Sequence, residues 1–341
     1  MRAMVLKALV DFGKESHPLV EEEIPEPVIE RDEILIRISR CGVCHTELDE
    51  IEGRTPPSFL PMVLGHQVVG YVVEKGEAST HQVGDRVGVG WIYSSCGSCK
   101  KCERGLENLC EHFKATGRDA YGGYAQYMKA KSDFVYPIPK NLSDSEAAPL
   151  LCAGAIGYRS LRLANIKDGD SLGLTGFGAS GHLVLKMVKF IYPNTDVFVF
   201  ARSPKEREFA LSLGASWAGD TLELAPVKLQ AIIDTTPVWT PIVGALKNLD
   251  SNGRLVINAI RKEEIDKNVL ASIDYASQLW MEKEIKSVAN VARQDIIEFL
   301  DLANKMELKP EYQEYGMKEA NEALLELKNR KIKGAKVLVI E

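Results

Sequence analysis

Short apolar runs broken by glycine and proline dominate the first part of the chain. In Ile34-Leu35-Ile36-Arg37-Ile38-Ser39, the residues Ile34, Ile36 and Ile38 share one face and Arg37 and Ser39 the other, with Leu35 breaking the alternation. Residues 68–74 are strongly apolar, and Gly84-Asp85-Arg86-Val87-Gly88-Val89 follows a turn signal. Period-two patterns bounded by turn residues predict strands, and many short strands predict a barrel-like β domain.

After Pro149 the pattern changes. Residues 147–164 are rich in Ala and Leu and predict a helix, 171–175 a strand ending in glycines, 183–190 a helix and 196–200 a second strand. A helix over 206–213 and strands over 231–234 and 254–257 continue the alternation. Strand and helix in turn predict βαβ units, hence a parallel sheet with helices on both faces. The tail predicts helices over 295–306 and 317–327 and a last strand over 336–340, with no internal repeat or long linker.

The 341 residues suffice for about two domains. With 45% hydrophobic and 26% charged residues the composition is that of a globular protein, which excludes disorder, collagen and coiled coil. Lys plus Arg number 42 against 48 Asp plus Glu, a net charge of −6 with no basic tract, which argues against a nucleic-acid partner. No apolar run approaches the roughly 18 residues of a membrane span, and the apolar stretch at Met1 is too short for a signal peptide. The expectation is a cytoplasmic protein without a membrane partner.

Seven cysteines are present, and Cys96, Cys99, Cys102 and Cys110 form C-x2-C-x2-C-x7-C. Two-residue gaps turn successive thiolates inward, the longer gap closes the fourth corner, and Gly97 and Gly105 supply turning freedom. Four thiolates leave a zinc ion no open position, so this site is expected to be structural. Surface thiols, two disulfides and an iron–sulfur cluster are the competing readings. Of the remaining residues, one of Cys41 and Cys44, with His66 and Cys152, would supply two thiolates and an imidazole and leave zinc a free corner. Spacing alone does not choose between Cys41 and Cys44. His17, His81, His112 and His182 carry no partner signal and are expected to be non-ligands.

Between predicted strand and predicted helix, Gly176, Gly178 and Gly181 form G-x-G-x-x-G. Such glycines allow a tight turn, close approach of a pyrophosphate, and close helix–strand packing, with helix amides facing the phosphates. The acid expected about 20 residues on is missing, because its slot falls on Ala201. Arg202 and Ser203 suit a 2′-phosphate instead, so the reading leans to NADP, with NAD the alternative.

Gly42-Val43-Cys44-His45-Thr46-Glu47, Gly65-His66-Gln67-Val68-Val69-Gly70, Gly84-Asp85-Arg86-Val87-Gly88 and Pro149-Leu150-Leu151-Cys152-Ala153-Gly154 resemble the zinc-dependent alcohol dehydrogenases of the medium-chain dehydrogenase/reductase superfamily. The tetrad has that family's structural-zinc spacing, and the likeness runs in order over essentially the whole chain, with residues 275–293 similar to a bacterial and archaeal branch. Two thiolates and an imidazole are known as the catalytic donor set of alcohol dehydrogenase.

The resemblance implies an α/β protein. A GroES-like β-rich catalytic domain would span 1–152 and 291–341, with a zinc lobe at about 91–112, and a Rossmann domain 153–290. It implies two zinc ions per chain, with Cys44 as the ligand and Cys41 a bystander. It places His45 near the cofactor pyrophosphate, Thr46 where a hydroxyl takes the alcohol proton, and Glu47 where a carboxylate accepts the N–H of His66. The active site would lie between the domains, with Trp91 and Ile92 as candidates to line the substrate pocket.

Two departures from the family pattern stand out. Asp49 occupies the place of a histidine that passes protons to solvent, and Gln67 replaces a glutamate, which leaves the zinc a harder electrophile. Cys152, where polyol-specific relatives carry glutamate, favours simple primary or secondary alcohols. A homodimer or homotetramer acting on a small alcohol or aldehyde is expected. The alternatives are a zinc-free quinone or enone reductase of the same superfamily and a zinc-ribbon binding module.

Overall fold

The structure, a computed structural model, describes residues 1–329 and 334–341. The chain forms two compact units, Met1–Ala155 with Val291–Glu341, and Ile156–Asn290. The fold class is the expected one: a β-rich unit and a doubly wound α/β unit.

The spine of the first unit is the strand Glu33–Val43. It pairs antiparallel with Val68–Lys75, Tyr127–Lys131 and Ala335–Val339. The sheet runs Val135–Pro137, Arg86–Val89, Val68–Lys75, Glu33–Val43, Ala335–Val339, Tyr312–Gly316. Ile34, Ile36 and Ile38 enter the core with Val68, Val72, Val87 and Met128, and Arg37 is exposed. Leu35 is buried as well. The register against Val68–Lys75 shifts between Leu35 and Ile36, and such an irregularity re-aims a side chain that strict alternation would send to solvent.

The second unit holds a six-stranded sheet in the order Trp217–Gly219, Asp196–Phe200, Ser171–Thr175, Leu229–Asp234, Leu249–Ile257, Glu284–Ser287, parallel throughout. Val197, Phe198, Val199 and Phe200 are all buried, as expected of a strand covered on both faces. The strands predicted at 171–175 and 196–200 have those bounds.

One predicted helix is subdivided. Over 147–164 the chain forms Asp144–Pro149, a wider π-type turn at Leu150–Gly154, and the helix Ala155–Ala164. Pro149 has no N–H and its ring crowds the preceding turn, which favours local widening. Cys152 lies in that turn.

Candidate active site

The strand Glu33–Val43 delivers Cys44 to the start of the helix His45–Ile51. Cys44 is extended and its N–H donates to Glu47 Oε2 at 2.8 Å. Thr46 Oγ1 lies 3.6 Å from Cys44 Sγ. His66 follows Gly65, whose φ is +97°. A Cβ on Gly65 would come within 2.5 Å of the Tyr124 ring, so only glycine turns the chain here. Backbone bonds from Gly123 to Gly65 (2.9 Å) and Tyr124 to Leu64 (3.0 Å) fix the approach to His66.

These elements bring Cys44, His66 and Cys152 together, with all donor atoms within 4.8 Å of one another. The two sulfurs are 3.9 Å apart, and His66 Nε2 is 3.4 Å from Cys152 Sγ. Tetrahedral zinc, with Zn–S about 2.3 Å and Zn–N about 2.0 Å, separates two sulfurs by about 3.8 Å and sulfur from nitrogen by about 3.5 Å. The three residues therefore fit a zinc ion and leave its fourth corner free. His66 Nδ1 faces Glu47 Oε1 at 2.7 Å, with both side chains fully buried. Burial disfavours a charged imidazole, but Glu47 and Cys44 outweigh it and hold His66 well above the ordinary histidine range. The Cys152 contact pulls the Cys44 thiol well below its ordinary value against the opposing effect of burial.

Cys41 is fully buried, its sulfur facing Gly65 and Gly123, and burial pushes its thiol up. Gln67 is buried with its side chain against Gly42.

Cys96, Cys99, Cys102 and Cys110 form a second cluster. Sulfur separations of 3.9 Å (Cys96–Cys102), 3.6 Å (Cys99–Cys102) and 3.5 Å (Cys96–Cys110) match four corners around zinc and are far beyond a disulfide bond. Gly97 and Gly105 take the left-handed conformation at φ +72° and +67°. Glu107 in this lobe accepts from Arg293 Nε at 2.8 Å.

The other expected residues are placed as follows. His45 is exposed in the first helical turn. Asp49 is buried and accepts from Arg54 Nε at 2.5 Å. Trp91 is buried, 5.3 Å from the Phe113 ring and 5.4 Å from the Arg118 guanidinium. Gly176, Gly178 and Gly181 connect the strand Ser171–Thr175 to the helix Ala179–Ile191. Gly176 has φ +80°, a Cβ on Gly181 would lie 2.9 Å from Gly176 O, and a Cβ on Gly178 would meet open space. The Gly178 position thus leaves backbone bare for a phosphate, as a dinucleotide cradle requires. Ala201 is buried, and Arg202 is exposed just before Ser203, the cap of the helix Pro204–Ser212.

Three side chains escaped the reading of the sequence. Arg207 Nη1 donates to Ala201 O (2.7 Å) and Arg202 O (3.1 Å), bracing the turn that carries Arg202. Arg54 pairs with Asp49. Glu50 is fully buried, neither carboxylate oxygen has a hydrogen-bond partner, and burial pushes its carboxyl well up. The i, i+3 spacing of Glu47 and Glu50 is the one signal that could have placed Glu50 on the buried helix face.

A family model described as "Alcohol dehydrogenase GroES-like domain" matches residues 30–140. "Probable alcohol dehydrogenase AdhA" of Mycobacterium tuberculosis is 38% identical over 327 residues, covering 94% of this chain and 92% of that protein. An "Alcohol dehydrogenase" of Geobacillus stearothermophilus is 33% identical over 331 residues, covering 94% and 95%. The solved structure of the alcohol dehydrogenase from the archaeon Aeropyrum pernix superposes with a TM-score of 0.84 at 25% identity, covering 99% of this chain and 100% of that one. The chain belongs to the alcohol dehydrogenase family of the medium-chain dehydrogenase/reductase superfamily.

Proposed function

We propose that the protein is a zinc-dependent alcohol dehydrogenase, moving hydride reversibly between a primary or secondary alcohol and NADP or NAD. The convergence of Cys44, His66 and Cys152, from three distant segments, carries this reading. When bound, zinc supplies a Lewis acid for the substrate oxygen and the nicotinamide supplies the hydride acceptor. Glu47 takes the Nδ1 proton of His66 as a hydrogen bond and so leaves Nε2 free for the metal. Thr46 Oγ1, beside Cys44, accepts the alcohol proton while its own hydroxyl proton leaves toward solvent through water or through Asp49 of the same helix. Gly176, Gly178 and Gly181 receive the pyrophosphate, and Arg202 with Ser203 faces the adenosine end.

The absence of a carboxylate at Ala201 favours NADP, with NAD the competing choice. A zinc-free enone reductase would have no use for the Cys44–His66–Cys152 group, and a zinc-ribbon module none for the glycine loop. The edge strand Glu284–Ser287 is exposed, with Tyr275, Trp280, Met281 and Ile285 also exposed, which supports assembly as a homodimer or homotetramer.

The test is an alcohol and aldehyde panel run with NAD(H) and NADP(H) on zinc-quantified protein. Two zinc ions per chain and alcohol oxidation lost in Cys44→Ser are expected. Full turnover by zinc-free protein or by Cys44→Ser would sink the proposal, and a roughly 100-fold preference for NAD, about 2.7 kcal/mol, would remove the NADP choice.

A further inference from the structure

A buried charge pair that the reaction above does not use sits at the carboxyl ends of the central strands of the second unit. Asp234 ends the strand Leu229–Asp234 and is fully buried. Its Oδ1 accepts from Thr175 Oγ1 and Thr236 Oγ1, each at 2.7 Å. Its Oδ2 accepts from Lys262 Nζ at 2.5 Å, and the Lys262 side chain is 7% exposed. The same ammonium donates to Thr236 O at 2.7 Å and Val238 O at 3.1 Å. Its three N–H groups are thereby all used. Burying two charges carries a desolvation cost that hydrophobic residues would avoid, so the pair calls for a role in specifying local structure.

Three turns meet at this pair. Thr235 N donates to Thr175 O at 2.9 Å. Gly176, the first glycine of the loop, packs so closely that a Cβ would lie 2.8 Å from Thr235 Oγ1. Asn258 N donates to Asp234 O and Glu263 N to Pro237 O, each at 2.7 Å. The glycine turn, segment 235–239 and segment 258–263 are therefore tied together through Asp234 and Lys262. Ser171–Thr175 and Leu229–Asp234 are neighbours where the strand order reverses, and a doubly wound sheet binds its ligand outside the carboxyl ends at that point. With Arg202 at the end of the strand Asp196–Phe200 taking the adenosine end, the strands Leu229–Asp234 and Leu249–Ile257, on the other side of the reversal, would take the nicotinamide end.

We propose that Lys262 is a positioning residue for the dinucleotide: its ammonium latches segment 258–263 to segment 234–238 and holds ready the turns that receive the nicotinamide half. The inference rests on the dehydrogenase reading above. With the latch cut, ordering of these turns is charged to cofactor binding, which weakens affinity without touching the reacting atoms.

The test compares zinc-loaded, full-length wild type, Lys262→Met and the double variant Asp234→Asn with Lys262→Met. Lys262→Met keeps the length of the stem. The double variant leaves no lone buried carboxylate and so guards against simple misfolding. Dissociation constants for NADPH and NADH are read by fluorescence titration, with KM and kcat from steady-state rates and melting temperature as the folding control. The cofactor Kd and KM are expected to rise about tenfold in both variants, with kcat at saturating cofactor within about twofold. The double variant is expected to recover melting temperature but not cofactor affinity. Wild-type cofactor affinity in the folded double variant, or a lower melting temperature with unchanged Kd in Lys262→Met, overturns the latch. Failure of the wild type to bind either dinucleotide overturns the dehydrogenase reading instead.

Discussion

Replacing Glu47 with glutamine should loosen one metal ion and leave the other in place. The Glu47 carboxylate does two things at once, with Oε1 2.7 Å from His66 Nδ1 and Oε2 accepting the Cys44 N–H at 2.8 Å. Both partners are donors, and a glutamine amide has one acceptor oxygen, so one of the two contacts turns donor against donor. Loss of a carboxylate behind a ligating histidine typically weakens metal binding 10- to 100-fold, or about 1.4 to 2.8 kcal/mol.

Glu47→Ala adds an unpaired Cys44 N–H beside a fully buried side-chain position. Its fold should therefore lose a further 1 to 3 kcal/mol, roughly, beyond Glu47→Gln. Competition against a chromophoric chelator reads the zinc affinity of both clusters in one titration, with the four-cysteine cluster as internal reference. If Glu47→Gln holds both ions within twofold of wild type, the argument that Glu47 orients His66 is wrong.

Other outcomes follow from the same geometry. Glu33 is held by the Tyr93 hydroxyl (2.7 Å) and Lys129 (3.0 Å), which overcome the effect of burial and bring its carboxyl down to about 2. A depressed carboxyl stabilises the fold above its ordinary value of 4.5 and loses that contribution as pH falls toward about 2. Glu33→Gln should be less stable at neutral pH by about 3 kcal/mol, and denaturant titrations should show the gap closing below about pH 5. A gap that persists at pH 2 would contradict this. Gly178→Ala places its Cβ in open space and should melt like wild type while binding cofactor more weakly; Gly181→Ala, 2.9 Å from Gly176 O, should lose about 1 to 3 kcal/mol of stability. Calorimetry with and without NADPH separates the two. Cys102→Ser should drop zinc content from two to one per chain and open residues 95–113 to limited proteolysis, because the lobe has little apolar core besides its metal. Retention of both ions would refute that assignment.

Much of the site was legible because its information is local. The four-cysteine cluster spans fifteen residues, and the strands at 171–175 and 196–200 announce themselves as apolar runs between turn residues. Composition and a strand-then-helix alternation identify the doubly wound unit because buried parallel strands must be apolar on both faces. The wide turn at Leu150–Gly154 was less legible: alanine and leucine look alike in a straight and a widened helix, and Pro149 marked a break without saying of what kind.

The sequence by itself determined which chemistry is available: six thiolates and an imidazole in two candidate sets, a bare glycine turn, and an alanine followed by an arginine where an acid would stand. Spacing along the chain did not say which of them meet; the family resemblance pointed to Cys44, and the tertiary structure supplies the physical reason. Cys41 and Cys44 are three residues apart and chemically equal. Cys41 lies within the strand Glu33–Val43 and points into the core, whereas Cys44 lies past its end, where the chain turns into a helix and the sulfur comes within 3.9 Å of Cys152, 108 residues later. The Asp234–Lys262 pair was equally invisible. A pairing across a sheet depends on register and crossover, which bring distant residues together through the packing of everything between them, and no window along the chain contains that information.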